Sequence, residues 1–240
     1  MTHPLDGAYA RLDRAMEHLA ELKAIVLEFI DREYELAEGS VQFNPQGPIP
    51  LNITRPDSPI PPKVSILTGE VVNNLRTALD YLIYQLAILD AKTVQNGTQF
   101  PIEDTPAGFQ GRSKPYLKGI NASHSAKIER LQPYNGVDWT RILRTISNPD
   151  KHRHPVIQKH HSTITIKHGK DPAEVFAQPG VKGLFIVFTI PDPTLATPMH
   201  MQFHVTIFIA FDDGLRIVET LEQLQTEVAK VLGDFKSEFK

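Results

Sequence analysis

The residues best suited to chemistry lie in one short run, LRTISNPDKHRH, from Leu143 to His154. An apolar helical pattern ends there at a proline, and an acid, a lysine, an arginine and two histidines follow at once. Imidazole transfers protons near neutral pH, and guanidinium groups stabilise the charge on a phosphate under attack. His152 and Arg144 are therefore the candidate catalytic residues for metal-independent RNA cleavage, with Arg153 as an alternative phosphate-stabilising group.

The same run could bind an anion without catalysing a reaction. Arginine holds phosphate and carboxylate groups through a fork of donors, and lysine adds a compact positive charge. Further polar residues lie on a predicted helix, where Arg76 and Asp80 are four positions apart and can pair along one face. The ligand would be a phosphate-bearing small molecule or RNA. The candidate ligand-binding residues are Arg76, Asp80, Asp150, Lys151 and Arg153.

A third interpretation is structural, a buried ion network that locks the run against the predicted helix. Buried charges persist only when they are paired. Asp80 would then be the counter-ion of a cation in the run. Truncating Asp80 would leave that cation buried without a partner and would lower the stability of the fold by about 3–5 kcal/mol. The helix face concerned carries Asn73, Arg76, Asp80 and Tyr84, and the cations are Lys151, His152 and Arg153.

A divalent metal is the fourth interpretation. The histidines lack the fixed i, i+4 placement of a helical zinc motif, so no metal and no cofactor is predicted. The ligands of such a site would be His152, His154, His160 and His161 with Asp80 or Asp150.

Long helices must position these residues. Apolar side chains recur at steps of three and four in two long stretches, which predicts helices over 5–35 and 64–90. A small hairpin is predicted near 40–55, between the two helices. Shorter helices are predicted from Ser123 to Leu131 and from Asp138 to Ser147, and the stretch from Thr98 to Ile120 is predicted to be a loop with short turns.

The residues after Pro155 favour strands. STITIKH, GLFIVFTI and MHMQFHVTIFIAF are rich in β-branched and aromatic residues, which predicts an antiparallel sheet from about 160 to 211. A last apolar stripe predicts a C-terminal helix that packs back. Because helices and strands are segregated, the predicted class is α+β, a long-helix bundle with an antiparallel β-sheet and a C-terminal helix. One domain is expected over 1–240, with a mainly helical half at 1–155 and the sheet and terminal helix at 156–240.

Composition and charge exclude several classes of functional site. The chain has 240 residues, a net charge of −3 and no cysteine, which excludes disulfides, thiolate nucleophiles and iron–sulfur clusters. No basic-then-apolar leader begins the chain, and no stretch approaches the roughly 18–20 apolar residues of a membrane span, so a cytoplasmic protein without membrane association is predicted. The apolar stripes exceed what one small sheet would cover, which predicts a homodimer.

Four motifs carry a resemblance. They are LTGEVVNNLRTALDYLIYQLA, TQFPI, IERLQPY and LRTISNPDKHR. Their combination resembles a widespread group of uncharacterised bacterial proteins that share the patterns LRxALDxL, FPI, LQPY and NxDKHR. The resemblance covers roughly Pro59 to Arg153, with a weaker match in the strands and the last helix. It identifies a group without implying an activity.

A more distant resemblance is to HEPN domains, which are helical nucleotide-binding or ribonuclease modules with an arginine followed four to six residues later by a histidine. Here seven residues separate Arg144 from His152, and one of them is a proline. The leading hypothesis is a non-catalytic ligand- or nucleotide-binding or scaffold protein. The alternative is a HEPN-like endoribonuclease that uses His152 and a nearby arginine.

Overall fold

The structure is a computed structural model. It describes the backbone of residues 3–36, 38–41, 51–54, 58–147, 158–169, 184–190, 199–211 and 213–239, and the side chains of 3–33, 58–147, 208–211 and 213–239. The run from 148 to 157, with Asp150, Lys151, His152 and Arg153, lies outside the described residues. The predictions made for these four side chains therefore stay predictions.

Two long helices dominate the described chain. Helix α1 spans Asp6–Leu36 and helix α2 spans Pro62–Ala91, so the predicted helices over 5–35 and 64–90 are confirmed. Helix α2 is buried on more than one side, as expected of a central helix in a bundle. The predicted stripe of α1 is also buried, and its members are Leu5, Ala8, Leu12, Ala15, Leu19, Leu22, Val26 and Phe29.

Helix α3, Pro106–Tyr116, lies where the sequence predicts a loop, so that part of the loop prediction is wrong. The helix begins through capping. The Thr105 side chain accepts a hydrogen bond from the Gly108 amide at 3.0 Å, and Pro106 occupies the first turn, where a missing N–H costs nothing. Phe109 is its one buried residue, so no apolar stripe announces the helix in the sequence.

The remaining helices complete a bundle. Helix α4 spans Ala122–Glu129 and α5 spans Asp138–Ser147, which confirms both predicted helices, and a 3-10 turn, Pro133–Asn135, separates them. Helix α6, Ile217–Lys236, is the predicted C-terminal helix and ends in a 3-10 turn, Ser237–Phe239. Helix α2 packs against α5 and α6, and α5 packs against α6. The helical-bundle part of the predicted fold is confirmed.

The strands are described by their backbone. Strands β1, Glu38–Val41, and β2, Leu51–Thr54, pair antiparallel. Strands β3, Gln158–Gly169, and β4, Leu184–Ile190, both pair antiparallel with β5, Met199–Phe211, which lies between them. Residues at the end of β5 are buried, among them Ile209, Ala210 and Phe211.

The chain divides into two compact units. The first comprises Met1–Lys23, Pro62–Ile157 and Ile217–Lys240, and the second comprises Ala24–Pro61 and Gln158–Arg216. Helices α2 to α6 and residues 6–23 of α1 belong to the first unit. The paired strands and residues 24–36 of α1 belong to the second. In the second unit the Arg216 guanidinium lies over the Phe208 ring, 4.4 Å from its centroid.

Candidate functional site

The motif FPI forms a segment without regular secondary structure. Its side chains are buried in the core, and side chains from three helical regions hydrogen-bond to its backbone. Phe100 is completely buried and Ile102 is 5% exposed. The Gln99 amide donates to the Tyr116 carbonyl at 3.1 Å. A segment outside helix and sheet must find other partners for its buried N–H and C=O groups, because an unpaired one is costly. Arg76, Asp80, Gln132 and Arg144 supply those partners, and we call these four side chains the FPI clamp.

Helix α2 contributes the first two members of the FPI clamp. The Phe100 amide donates to Asp80 Oδ1 at 2.8 Å, and Arg76 Nη2 donates to the Phe100 carbonyl. Arg76 Nη2 also lies 3.7 Å from Asp80 Oδ1, which confirms the predicted pairing of these two residues. Burial lowers the pKa of the Arg76 guanidinium, and the neighbouring Asp80 and Tyr116 oppose that shift. One arginine and one aspartate thus hold both backbone polar groups of Phe100.

Gln132 is the third member, and sequence reasoning did not single it out as a functional residue. Its side chain is completely buried. Its Nε2 donates to the Pro101 carbonyl at 2.9 Å and to the Ile128 carbonyl at 3.1 Å, and its Oε1 accepts from the Glu103 amide at 2.9 Å. The LQPY motif marks Gln132 in the sequence but does not show that its side chain is buried, and it is burial that requires the amide to be hydrogen-bonded.

Arg144 is the fourth member. From the last turn of α5 its Nη1 donates to the Ile102 carbonyl at 3.2 Å, and its Nη2 lies 2.5 Å from Asp104 Oδ2. The side chain is 30% exposed and that of Asp104 is 56% exposed. The guanidinium proposed to stabilise a phosphate therefore binds the chain's own backbone and a carboxylate.

The structure brings three of the predicted site residues to one segment. Arg76, Asp80 and Arg144 all contact residues 100–104. Contacts between Asp80 and the run at 150–153 fall outside the described residues. The FPI clamp orients backbone groups and holds the end of α5. Three residues after that helix ends, the sequence reaches Asp150, Lys151, His152 and Arg153, which we call the DKHR run.

A second polar cluster lies where α2 ends and α4 begins, and the sequence analysis did not find it. His124, which is 6% exposed, lies with its Nδ1 2.8 Å from Asp90 Oδ2. Asn121 caps α4 by accepting from the His124 amide at 2.8 Å, and it donates to Asp90 through its amide at 2.9 Å and its side chain at 2.8 Å. An N-cap asparagine three positions before a histidine was the available signal.

Tyr134, the last residue of LQPY, donates to Glu129 Oε1 at 2.8 Å. Burial, then the hydrogen bond and the charge of Glu129, raise the pKa of the Tyr134 hydroxyl to about 12. The hydroxyl thus stays protonated at neutral pH and serves as a donor, not as a base.

Other candidate sites receive no support from the described residues. Among these, no three His, Asp or Glu side chains are grouped as metal ligands, and the histidines of the four-histidine metal hypothesis have no described side chains. None of the helices that the structure describes has the length and apolarity needed to cross a membrane. Comparison of the chain with family models, with curated proteins and with solved structures finds no match.

Proposed function

We propose that this chain is a non-catalytic binding or scaffold protein whose ligand is a phosphate-bearing small molecule or RNA. The observation that supports this is the position of Arg144. It donates to the Ile102 carbonyl and pairs with Asp104, so it is neutralised where a ribonuclease would need an arginine directed at the phosphate. A clamp of this kind stabilises a fold and does not by itself supply chemistry.

In this proposal the anion is bound by the cations of the DKHR run. Lys151 and Arg153 supply the charge, and Asp150 belongs to the same proposed site. Arg76 is 20% exposed, so part of its guanidinium is accessible to a ligand as well, while Asp80 holds it in place. His152 is then a hydrogen-bond donor to the anion and not a general acid or base.

Binding and cleavage can be measured on the same samples. The full chain is titrated into a fluorescent single-stranded RNA and, separately, a fluorescent nucleoside triphosphate, with EDTA present. Anisotropy reports binding, and a denaturing gel reports cleavage. The variant Lys151→Ala/Arg153→Ala is expected to lose at least about tenfold in affinity, since each charge-assisted hydrogen bond contributes about 1.5–3 kcal/mol.

The control variant is Lys114→Ala/Lys118→Ala, which removes the same charge from exposed positions on and after α3. It should bind like the wild type, apart from a small change in salt dependence. Cleavage that leaves a 2′,3′-cyclic end and disappears in His152→Ala would establish the HEPN-like ribonuclease and reject a non-catalytic protein. Absence of binding to either probe would reject the anion-binding site.

The homodimer is part of the same proposal. The apolar stripe of α1 is covered within one chain, so the support comes instead from large apolar side chains left exposed. Leu27 is 54% exposed, Ile66 is 59% exposed and Val94 is 64% exposed. Light scattering at micromolar concentration is expected to give twice the chain mass of 26.9 kDa, and a monomer mass would reject the dimer.

We also propose a cytoplasmic location and an α+β fold in solution. The antiparallel pairing of β3, β4 and β5 supports the second statement. Circular dichroism should show a β contribution beside the dominant helical signal. A spectrum explained by helix and coil alone would contradict the α+β class.

A further inference from the structure

A buried histidine lies between two carboxylates, where the end of α2, the start of α4 and the C-terminal 3-10 turn meet. The side chains of His124 and Asp90 are each 8% exposed. His124 Nδ1 lies 2.8 Å from Asp90 Oδ2, and His124 Nε2 lies 3.4 Å from Glu238 Oε2 in the C-terminal 3-10 turn. Both ring nitrogens therefore face a carboxylate oxygen. The imidazole connects the end of α2, the first turn of α4 and the turn that follows α6.

This geometry suits a protonated ring. Imidazolium has two N–H donors, whereas neutral imidazole has one donor and one lone pair. In the neutral ring, one nitrogen would direct its lone pair at a carboxylate oxygen, and that contact would become repulsive. The low exposure of His124 leaves little water to screen it.

The two carboxylates are held differently, which decides which contact depends on the proton. Asp90 also accepts from the Asn121 amide at 2.9 Å and from its side chain at 2.8 Å, so it keeps its place. A neutral His124 would retain its Nδ1–H toward Asp90, the shorter contact. The lone pair would then appear on Nε2, toward Glu238. The contact with the C-terminal turn is thus the one that is lost.

The other polar group against the ring is the Asn121 side-chain amide, whose Nδ2 lies 3.2 Å from His124 Nδ1 and donates to Asp90 Oδ1. Among the described residues, the charged groups that face it are Asp90 from α2, Glu238 from the C-terminal turn, and Lys127 from α4, which pairs with Glu238. The hydrogen bonds from Lys127 and then from His124 lower the pKa of the Glu238 carboxyl. The Phe235 ring of α6 lies 6.2 Å from the His124 ring.

We propose that His124 is a proton-operated latch that fastens the C-terminal turn to the ends of α2 and α4. With the proton on Nε2, Glu238 is held from two sides, by Lys127 and by His124. Without it, Lys127 alone remains, on a half-exposed side chain. Because the contact with Glu238 requires the second ring proton, the closing of the turn depends on pH.

The test is a pH titration of the full chain by NMR. The His124 ring resonance is assigned from its absence in His124→Gln, and the amides of residues 237–239 are followed in the same samples from acid to mildly alkaline pH. We expect the turn amides to shift with the same midpoint as the His124 ring, and their hydrogen exchange to quicken above it. In Glu238→Gln the pH dependence of the turn should be lost while His124 still titrates.

The matched control is His3→Gln. The His3 ring contacts the Phe239 ring edge-on with centroids 6.1 Å apart, so His3 is a second histidine beside the same turn. If the turn amides followed His3, or did not change across the His124 titration, the latch would be rejected. Glu238 is 29% exposed, so Glu238→Gln leaves a folded protein on which the question can be decided even if His124→Gln does not fold.

Discussion

Asp80 Oδ1 accepts a hydrogen bond from the Phe100 amide at 2.8 Å, so a carboxylate of helix α2 binds the backbone of the FPI segment 20 residues further along the chain. The same oxygen lies 3.7 Å from Arg76, which donates to the carbonyl of Phe100. Asp80 and Arg76 thus bind the backbone N–H and C=O groups of Phe100, and the phenylalanine side chain can be buried in the core.

Asp80→Ala should destabilise the protein by about 2–3 kcal/mol, because a hydrogen bond to a charged acceptor contributes about 1.5–3 kcal/mol and Arg76 loses its counter-ion. Asp80→Asn keeps an oxygen acceptor and should cost less. Urea denaturation gives both values, and anion binding is measured alongside. If Asp80→Ala changed neither stability nor binding, the role of Asp80 in the clamp and in the proposed site would both be rejected.

Gln132→Ala should lower the free energy of unfolding by about 2–4 kcal/mol, since it leaves the Glu103 amide and the Pro101 carbonyl without their partner in a buried place. The control is Gln110→Ala on α3, whose side chain is exposed. Equal midpoints for the two variants in urea would show that the Gln132 amide contributes nothing to the FPI clamp.

Two glycines with the same backbone conformation allow the cost of backbone strain to be measured separately from the cost of steric crowding. Gly119 has φ 82° and Gly136 has φ 81°, but a Cβ at Gly119 would lie 3.1 Å from Ala91 Cβ and 3.0 Å from Gln95 Cγ, whereas a Cβ at Gly136 meets nothing within 4 Å. Gly136→Ala should cost about 1–2 kcal/mol from the left-handed conformation. Gly119→Ala should cost about 1–3 kcal/mol more by overpacking. Thermal unfolding that ranked the two variants equally would contradict the close approach at Gly119.

Tyr134 should make stability fall at alkaline pH. The pKa of its hydroxyl is raised to about 12 in the fold, above the ordinary value of 10.0, so its contribution is fully present below pH 10 and is lost as the pH rises through 12. Between those values the unfolded chain has lost a proton that the folded chain retains, and unfolding therefore becomes easier. Tyr134→Phe should flatten this part of the stability profile and remove one step near pH 12 from the tyrosinate absorbance titration. An unchanged profile would reject the shift.

Residue periodicity was sufficient to predict the helices that have an apolar face. Helices α1 and α2 follow from three-four stripes, because a long helix must bury one side, and the pairing of Arg76 with Asp80 follows from their spacing of four on α2. Helix α3 did not follow, because its start depends on the Thr105 cap and it buries Phe109 alone.

The binding partners of the polar residues depend on the tertiary structure. Asp80 was predicted to pair with a cation, and its described contacts also include a backbone amide, because the FPI segment lies outside any helix or sheet that could pair its backbone. His124 contacts Asp90, 34 residues away, and Glu238 near the C-terminus. Neither contact produces a periodic pattern in the sequence. Periodicity records which face of an element is buried, whereas the partner of a buried polar group depends on which chain segments fold together.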